Sequence, residues 1–196
     1  GSTSLEEVII PKGYKVLSKN AFADCTSLKK IVINADLDDV STAAGIFKNA
    51  GSNSGDSGLT VIFGDSVGKV PANLFYSSGD DCCHVTELVT GSAVKVIGEA
   101  AFYGCRDLAD IRIPEGGSLK TIENNAFYGC TSLKGINGAQ SLSLPEGLNA
   151  ISYNAFRGCS SITEAVFPST LTCIENSAFY DCTDLNSVKI GSNLNK

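Results

Sequence analysis

The chain has 196 residues, of which 43% are hydrophobic and 18% are charged, and its formal net charge is −6. This composition supplies ample apolar side chains for a core and excludes a disordered tail. The acidic balance and the scattered basic residues argue against nucleic acid, whose phosphates require clustered Lys and Arg. No apolar run reaches roughly 18 residues, so we expect no transmembrane helix and no direct insertion into a membrane.

A short segment with Ala-Phe, followed by Cys three positions after the Phe, recurs along the chain. Its clear copies are centred on Phe22, Phe102, Phe127, Phe156 and Phe179, and weaker copies are centred on Phe47 and Phe75. The phenylalanines of successive copies are 23 to 29 residues apart. A period in the twenties is typical of leucine-rich repeats and is too short for paired-helix repeats.

Each repeat predicts the same elements in the same order. An L-x-x-I-x-I segment begins six residues after the Phe, as in 28–33 and 108–113, and the alternation at its end predicts a short strand. A Pro often follows at the point where the coil should leave the sheet. The segment around Asn-Ala-Phe-x-x-Cys is interpreted as one short helical or 3₁₀ turn at a bend.

These elements predict a single α/β repeat solenoid of about seven to eight coils over residues 1–196. Parallel strands should form one face, and each coil should bury its Leu, Ile, Phe and Cys against its neighbours. Residues 1–4 are interpreted as a tag remnant and leader. The predicted repeats cover about 5–33, 34–58, 59–84, 85–107, 108–132, 133–161, 162–184 and a partial unit at 185–196.

The pattern L-x-x-I-x-[IL]-P followed by I-x-x-x-A-F-x-x-C-x-x-L resembles the BspA-like leucine-rich repeat family. Residues 108–133 show it with little deviation, and the resemblance extends over roughly 5–190, most strongly from 94 onward. It implies a right-handed solenoid from a large surface protein of bacteria or protists, located extracellularly or at the cell surface. Members have been associated with adhesion to host proteins such as fibronectin and fibrinogen, and with cell attachment. The resemblance provides no catalytic or ligand residues.

Five of the eight cysteines occupy one repeat position: Cys25, Cys105, Cys130, Cys159 and Cys182. Stacked residues of this kind point in parallel, which keeps their Cβ atoms too far apart for an ordinary disulfide. We therefore expect a ladder of buried free thiols acting as small hydrophobic groups. Cys173 lies outside this ladder and is also expected in the core.

Residues 80–84, Asp-Asp-Cys-Cys-His, contain the single histidine of the chain. A zinc site would need separated ligand pairs, and a Cys/His nucleophile would need a reachable base and a third group that orients it. We therefore expect an irregular loop, with metal binding and catalysis as the alternatives, and no cofactor. Cys82 or Cys83 could instead fill the missing ladder position, and a disulfide at either one is left open.

Two other segments contain residue types that occur in binding sites. The acidic residues at 36–39 could offer oxygens to calcium, but they lack the Gly and terminal Glu of a calcium loop, so a solvated turn is favoured. The Gly-rich segment 51–58 has no following Lys-Ser/Thr, which excludes a phosphate-binding loop.

The third and fifth residues of each strand should point to the outer surface of the sheet. They form a candidate binding face, or else the merely solvated side of a sheet: Lys30, Val32, Glu87, Asp110, Arg112, Glu164, Val166 and Lys189. We expect a non-enzymatic recognition or adhesion module for an extracellular protein, from a host matrix or another cell surface, or for a glycan. The alternative is an architectural spacer with no ligand of its own.

Overall fold

The computed structural model describes residues 1–55, 58–79 and 82–191. Short strands recur in every coil. They are β1 Glu7–Ile10, β2 Lys30–Ile33, β3 Leu59–Phe63, β4 Lys69–Val70, β5 Val85–Val89, β6 Val96–Ile97, β7 Asp110–Arg112, β8 Thr121–Ile122, β9 Gly135–Ile136, β10 Leu142–Ser143, β11 Ala150–Ile151, β12 Glu164–Phe167, β13 Cys173–Ile174 and β14 Ser187–Ile190.

The strands form two walls of a parallel β-solenoid of about seven turns. The first wall consists of one sheet, in the order β1-β2-β3-β5-β7-β9, and a second sheet, β10-β12-β14. The opposite wall is the sheet β13-β11-β8-β6-β4. Every pairing is parallel and joins one coil to the next. The predicted strands on one face are therefore confirmed, and the opposite wall was not predicted.

The α/β class and the helical or 3₁₀ turns at the bends were wrong, because the described residues contain no α-helix and the Phe segments are turns. Asn20 and Asp24, two residues before and after Phe22, have left-handed φ values of 57° and 55°. A right-handed helix cannot continue through such residues. The N–H groups of residues 20, 22 and 24 donate to carbonyls of the next coil, while those of residues 21, 23 and 25 donate to the carbonyl three residues back.

The phenylalanines of the repeated Ala-Phe segments form the centre of the core. Each is stacked on the next, with ring centroids 4.9 to 5.6 Å apart, from Phe22 through Phe47 and Phe75 to Phe179. The two weaker repeat copies therefore place their rings in the same column as the clear ones. Within the first wall, Leu28 and Ile31 are fully buried, which confirms that the first and fourth strand positions face the core.

The predicted thiol ladder is also present. None of the eight cysteines, all within the described residues, forms a disulfide. The ladder thiols from Cys105 onward donate to the Phe carbonyl of the preceding coil at 3.1 to 3.3 Å. Burial raises the pKa of Cys130 and Cys159 well above the ordinary thiol value. These groups therefore stay protonated and pack as small hydrophobic side chains.

The prediction that Cys173 lies in the core was wrong, because its side chain is exposed. It pairs with Ala150 in the second wall and precedes Ile174, whose counterpart Ile151 points inward. Adjacent residues of a strand face opposite sides, so Cys173 faces outward.

Candidate functional site

The candidate binding face is the outer surface of the first wall, where two rows of side chains follow the solenoid axis. Strand register aligns the third-position residues into a polar row: Glu7, Lys30, Thr60, Glu87 and Asp110. The fifth-position residues align into an apolar row that ends in a cation: Ile9, Val32, Ile62, Val89 and Arg112. The structure therefore brings five of the eight predicted face residues into one continuous surface.

Ion pairs join charged residues of these rows in two separate groups. Lys30 Nζ lies 2.9 Å from Glu7 Oε1. Arg112 Nε donates a hydrogen bond to Glu87 and lies 3.7 Å from Asp110 Oδ2. The hydrogen bond that Arg112 donates to Glu87, and then the charge of Glu87, raise the pKa of Arg112. The Arg112 side chain is nevertheless 55% exposed, so its remaining N–H groups face solvent.

A chain excursion at 137–141 ends this face. Ile136 in β9 and Leu142 in β10 both occupy the fourth strand position, because Ile136 pairs with Ile111 and Leu142 pairs with Ala165. The excursion is held against the sheet by Gly138, whose N–H donates to both carboxylate oxygens of Asp110 at 3.0 Å. It therefore forms a raised edge beside Glu87, Asp110 and Arg112, which we call the Arg112 cluster.

Below this edge lies a surface depression of about 460 Å³. It contains groups of both charges together with an amide and hydroxyls. Its lining comprises Thr60, Thr86, Glu87, Ala109, Asp110, Arg112, Lys134, Gly138, Ala139 and Gln140. Such a surface can offer hydrogen-bond donors and acceptors at the same time, next to the apolar row.

The other three predicted residues form a separate group on the β10-β12-β14 sheet. Lys189 Nζ lies 2.6 Å from Glu164 Oε1, and Val166 pairs with Lys189 across β12 and β14. The hydrogen bond and charge of Lys189 lower the pKa of Glu164. These residues do not join the Arg112 cluster, because the excursion at 137–141 stands between the two sheets.

Comparison with known proteins places this architecture in a family. A profile described as a BspA type leucine-rich repeat region matches in six copies, over residues 1–79 and 68–196. The chain belongs to the BspA-type leucine-rich repeat family. Among curated protein sequences, none is similar enough to count as a match.

Two solved structures show how closely other repeat proteins share the fold. The Treponema pallidum leucine-rich repeat protein TpLRR is 33% identical with a TM-score of 0.58, covering 67% of this chain and 58% of TpLRR. A leucine-rich repeat protein from Bacteroides ovatus is 22% identical with a TM-score of 0.57, covering 96% of this chain and 62% of its own. This BspA-type chain thus spans about three fifths of the length of each.

The acidic segment of the BspA-type chain is occupied by internal bonds. Asp36 Oδ1 accepts the N–H of Gly68 at 2.9 Å, and Asp39 accepts the N–H of Ala72 at 2.8 Å and the ammonium of Lys69 at 2.9 Å. Burial opposes ionisation of Asp39, but the bonds from Ala72 and Lys69 outweigh it and lower its pKa. Two of the three carboxylates in this segment, Asp36 and Asp39, are therefore bonded to groups of the following coils.

The Cys-Cys-His segment divides between core and surface. Cys83 is buried, and the N–H of His84 bonds Ala50 O as the N–H of Gly51 bonds Cys25 O. Cys83 therefore fills the ladder position, and burial raises its pKa strongly. Asp80 and Asp81 lie outside the described residues, and within the described ranges no three His, Cys, Asp or Glu side chains are grouped to hold a metal ion.

Two features of the site escaped the sequence reasoning. These are Lys134 and Gln140, which line the depression. The sequence feature that could have indicated them is the unusually long segment between Ile136 and Pro145, in a repeat that otherwise keeps the family pattern. Within the part of the chain that the structure describes, no helix is long and apolar enough to cross a membrane.

Proposed function

We propose that this BspA-type solenoid is a non-enzymatic recognition module, located extracellularly or at a cell surface, which binds a protein or a glycan. The observation that carries the proposal is the surface around Arg112. An exposed guanidinium, two carboxylates and a raised chain edge enclose a depression of about 460 Å³ beside a row of β-branched side chains.

The chemistry of this surface suits recognition by a combination of polar and apolar contacts. Arginine is enriched among the residues that dominate binding energies at protein interfaces. Arg112 is held in place by Glu87, so less side-chain freedom is lost when a ligand binds. The apolar row from Ile9 to Val89 provides contact area along the axis, as the exposed faces of solenoids do in other repeat proteins. Membership of a repeat family does not by itself assign a ligand.

Direct binding of the chain to a panel of extracellular-matrix proteins and glycans tests the proposal. The measurement belongs near physiological salt, where exposed charges are screened beyond roughly 8 Å. We expect a saturable signal that weakens by about tenfold or more in Arg112→Ala, in the range of an interface residue of high energetic importance. Asp110→Ala should weaken it too, because it releases the N–H of Gly138 and the excursion it anchors.

Lys95→Ala provides the matched control, since Lys95 is an exposed cation immediately before β6 in the opposite wall. It removes the same unit of charge from the chain and should leave affinity unchanged. Equal losses in Arg112→Ala and Lys95→Ala would show that only overall charge matters and would remove the proposed site. A panel without any binding would favour the spacer function.

A further inference from the structure

Three side chains from two neighbouring coils meet on the surface beside β5. His84 Nε2 lies 3.8 Å from Cys82 Sγ, and His84 Nδ1 lies 2.7 Å from Asp107 Oδ2. The side chains of His84 and Asp107 are 31% and 44% exposed, and Cys82 is half-buried. A thiol, an imidazole and a carboxylate are therefore in contact in this order and reachable from solvent.

The backbone explains why these groups converge. Residues 82–84 run into β5, so Cys82 and His84 point outward on either side of the inward-facing Cys83. Cys83 and Cys105 occupy the ladder position in neighbouring coils. His84 and Asp107 come shortly after them in sequence, so their side chains lie next to each other on the surface. The contact is thus set by the stacking of coils, and the residues are 23 positions apart in sequence.

The order of the groups is the one that activates a thiol. A carboxylate on Nδ1 fixes the tautomer that leaves Nε2 free to accept a proton, and an imidazole in reach of a thiol promotes the thiolate. Among the residues that the structure describes, the buried thiols of Cys83 and Cys105 also lie nearby, and their pKa values respond to Cys82 and Asp107. Both stay neutral, because burial raises their pKa values strongly.

We propose that Cys82, His84 and Asp107 form a reactive thiol site that exchanges with disulfides and links the chain covalently to a partner thiol. The proton of Cys82 Sγ moves to His84 Nε2, and the thiolate attacks one sulfur of a disulfide R–S–S–R. The new bond joins Cys82 Sγ to that sulfur, the old S–S bond breaks, and the departing thiolate takes the proton from His84 Nε2. The products are a mixed disulfide and one free thiol, with no other oxidant required. This is a stoichiometric modification and goes beyond the proposed recognition function.

The test compares the reactivity of Cys82 in folded chains that carry Cys173→Ser, because Cys173 is more exposed than Cys82 and would compete for the probe. The probes are oxidised glutathione, followed by mass spectrometry, and an aromatic disulfide that releases a coloured thiolate. For thiols in general, each unit by which the pKa falls raises the thiolate fraction about tenfold at low pH and lowers nucleophilicity about threefold. The gain in thiolate fraction therefore exceeds the loss of nucleophilicity, and an imidazole that promotes the thiolate should accelerate the reaction by roughly tenfold near pH 6.

We expect Cys82 to react about tenfold more slowly near pH 6 in His84→Gln than in the parent, with its pH–rate profile moved to higher pH. Asp107→Asn, which keeps the size of the side chain, should give a smaller shift in the same direction. A separate chain that keeps Cys173 and carries Cys82→Ser provides the control, and the rate of Cys173 in it should not respond to His84→Gln. Circular dichroism would establish that each variant is folded.

Identical pH–rate profiles for Cys82 with and without His84 would overturn the proposal. So would a Cys82 that fails to form the mixed disulfide in the Cys173→Ser chain while Cys173 forms it in the Cys82→Ser chain. Because none of these variants touches the Arg112 surface, failure here leaves the binding result of the recognition proposal unaffected.

Discussion

The phenylalanine column offers the sharpest test of how the solenoid is held together. Phe127 is fully buried and stacks on Phe102 at 5.6 Å and on Phe156 at 5.3 Å. Replacing a buried Phe by Ala typically costs about 3–5 kcal/mol. The two lost ring contacts, each worth about 0.5–1.5 kcal/mol beyond area burial, place Phe127→Ala near the upper end of that range.

Phe22→Ala is the matched comparison, since Phe22 is only half-buried and stacks on a single ring, that of Phe47, at 5.4 Å. With one ring contact and part of the buried area, its cost should be about half that of Phe127→Ala. Urea titrations followed by circular dichroism measure both free energies of unfolding. Equal costs at the two positions, or a cost below about 2 kcal/mol at Phe127, would refute the column as a principal source of stability.

Three further outcomes are expected from thiol labelling, pH and backbone geometry. A disulfide reagent should titrate two of the eight thiols in the native chain, Cys82 and Cys173, and all of them in denaturant; more than two native thiols would contradict the buried ladder. Lys189 lowers the pKa of Glu164, so this pair stabilises the fold at pH values above the ordinary Glu pKa of 4.5, and its contribution is lost as the pH falls through the lowered pKa. The difference in melting temperature between the parent and Glu164→Gln should be present at neutral pH and vanish in acid. A difference that does not change with pH would contradict this prediction. Ala100 has a left-handed φ of 49°, so Ala100→Asn, the residue found at this repeat position in other coils, should raise the free energy of unfolding by about 0.5–1 kcal/mol in urea titrations, and a decrease would show that the methyl group of Ala100 matters more than its strain.

The repeat pattern predicted the stacked core because burial requires the same side chains in every coil. Even the weak copies at Phe47 and Phe75 place their rings in the column. The opposite wall was missed because its strands are two residues long, as at Val96–Ile97, and so short a strand shows no alternation. The turns were mistaken for helix because Asn-Ala-Phe suits a helical bend unless the positive φ of the Asn is known.

The binding face was predicted as eight residues in one strip, but the excursion at 137–141 divides it. Alternation along a strand predicts which side chains point outward, and this was sufficient to find Asp110 and Arg112. It does not predict which charges pair across coils, since Glu87 and Arg112 are 25 residues apart. The contact between His84 and Asp107 was out of reach for the same reason.

The alternating hydrogen bonds of the Phe bend also bear on how such chains grow and shrink during evolution. In the coils of Phe75, Phe102, Phe127 and Phe156, the bend N–H groups bond the following coil just as the two walls do. Three ladders therefore hold adjacent coils at the spacing of neighbouring strands, about 4.8 Å. Duplication or loss of one repeat would lengthen or shorten the rod by one such step and leave every ladder in register. The distance between two binding surfaces on different coils is then a whole number of these steps, fixed by the number of repeats between them.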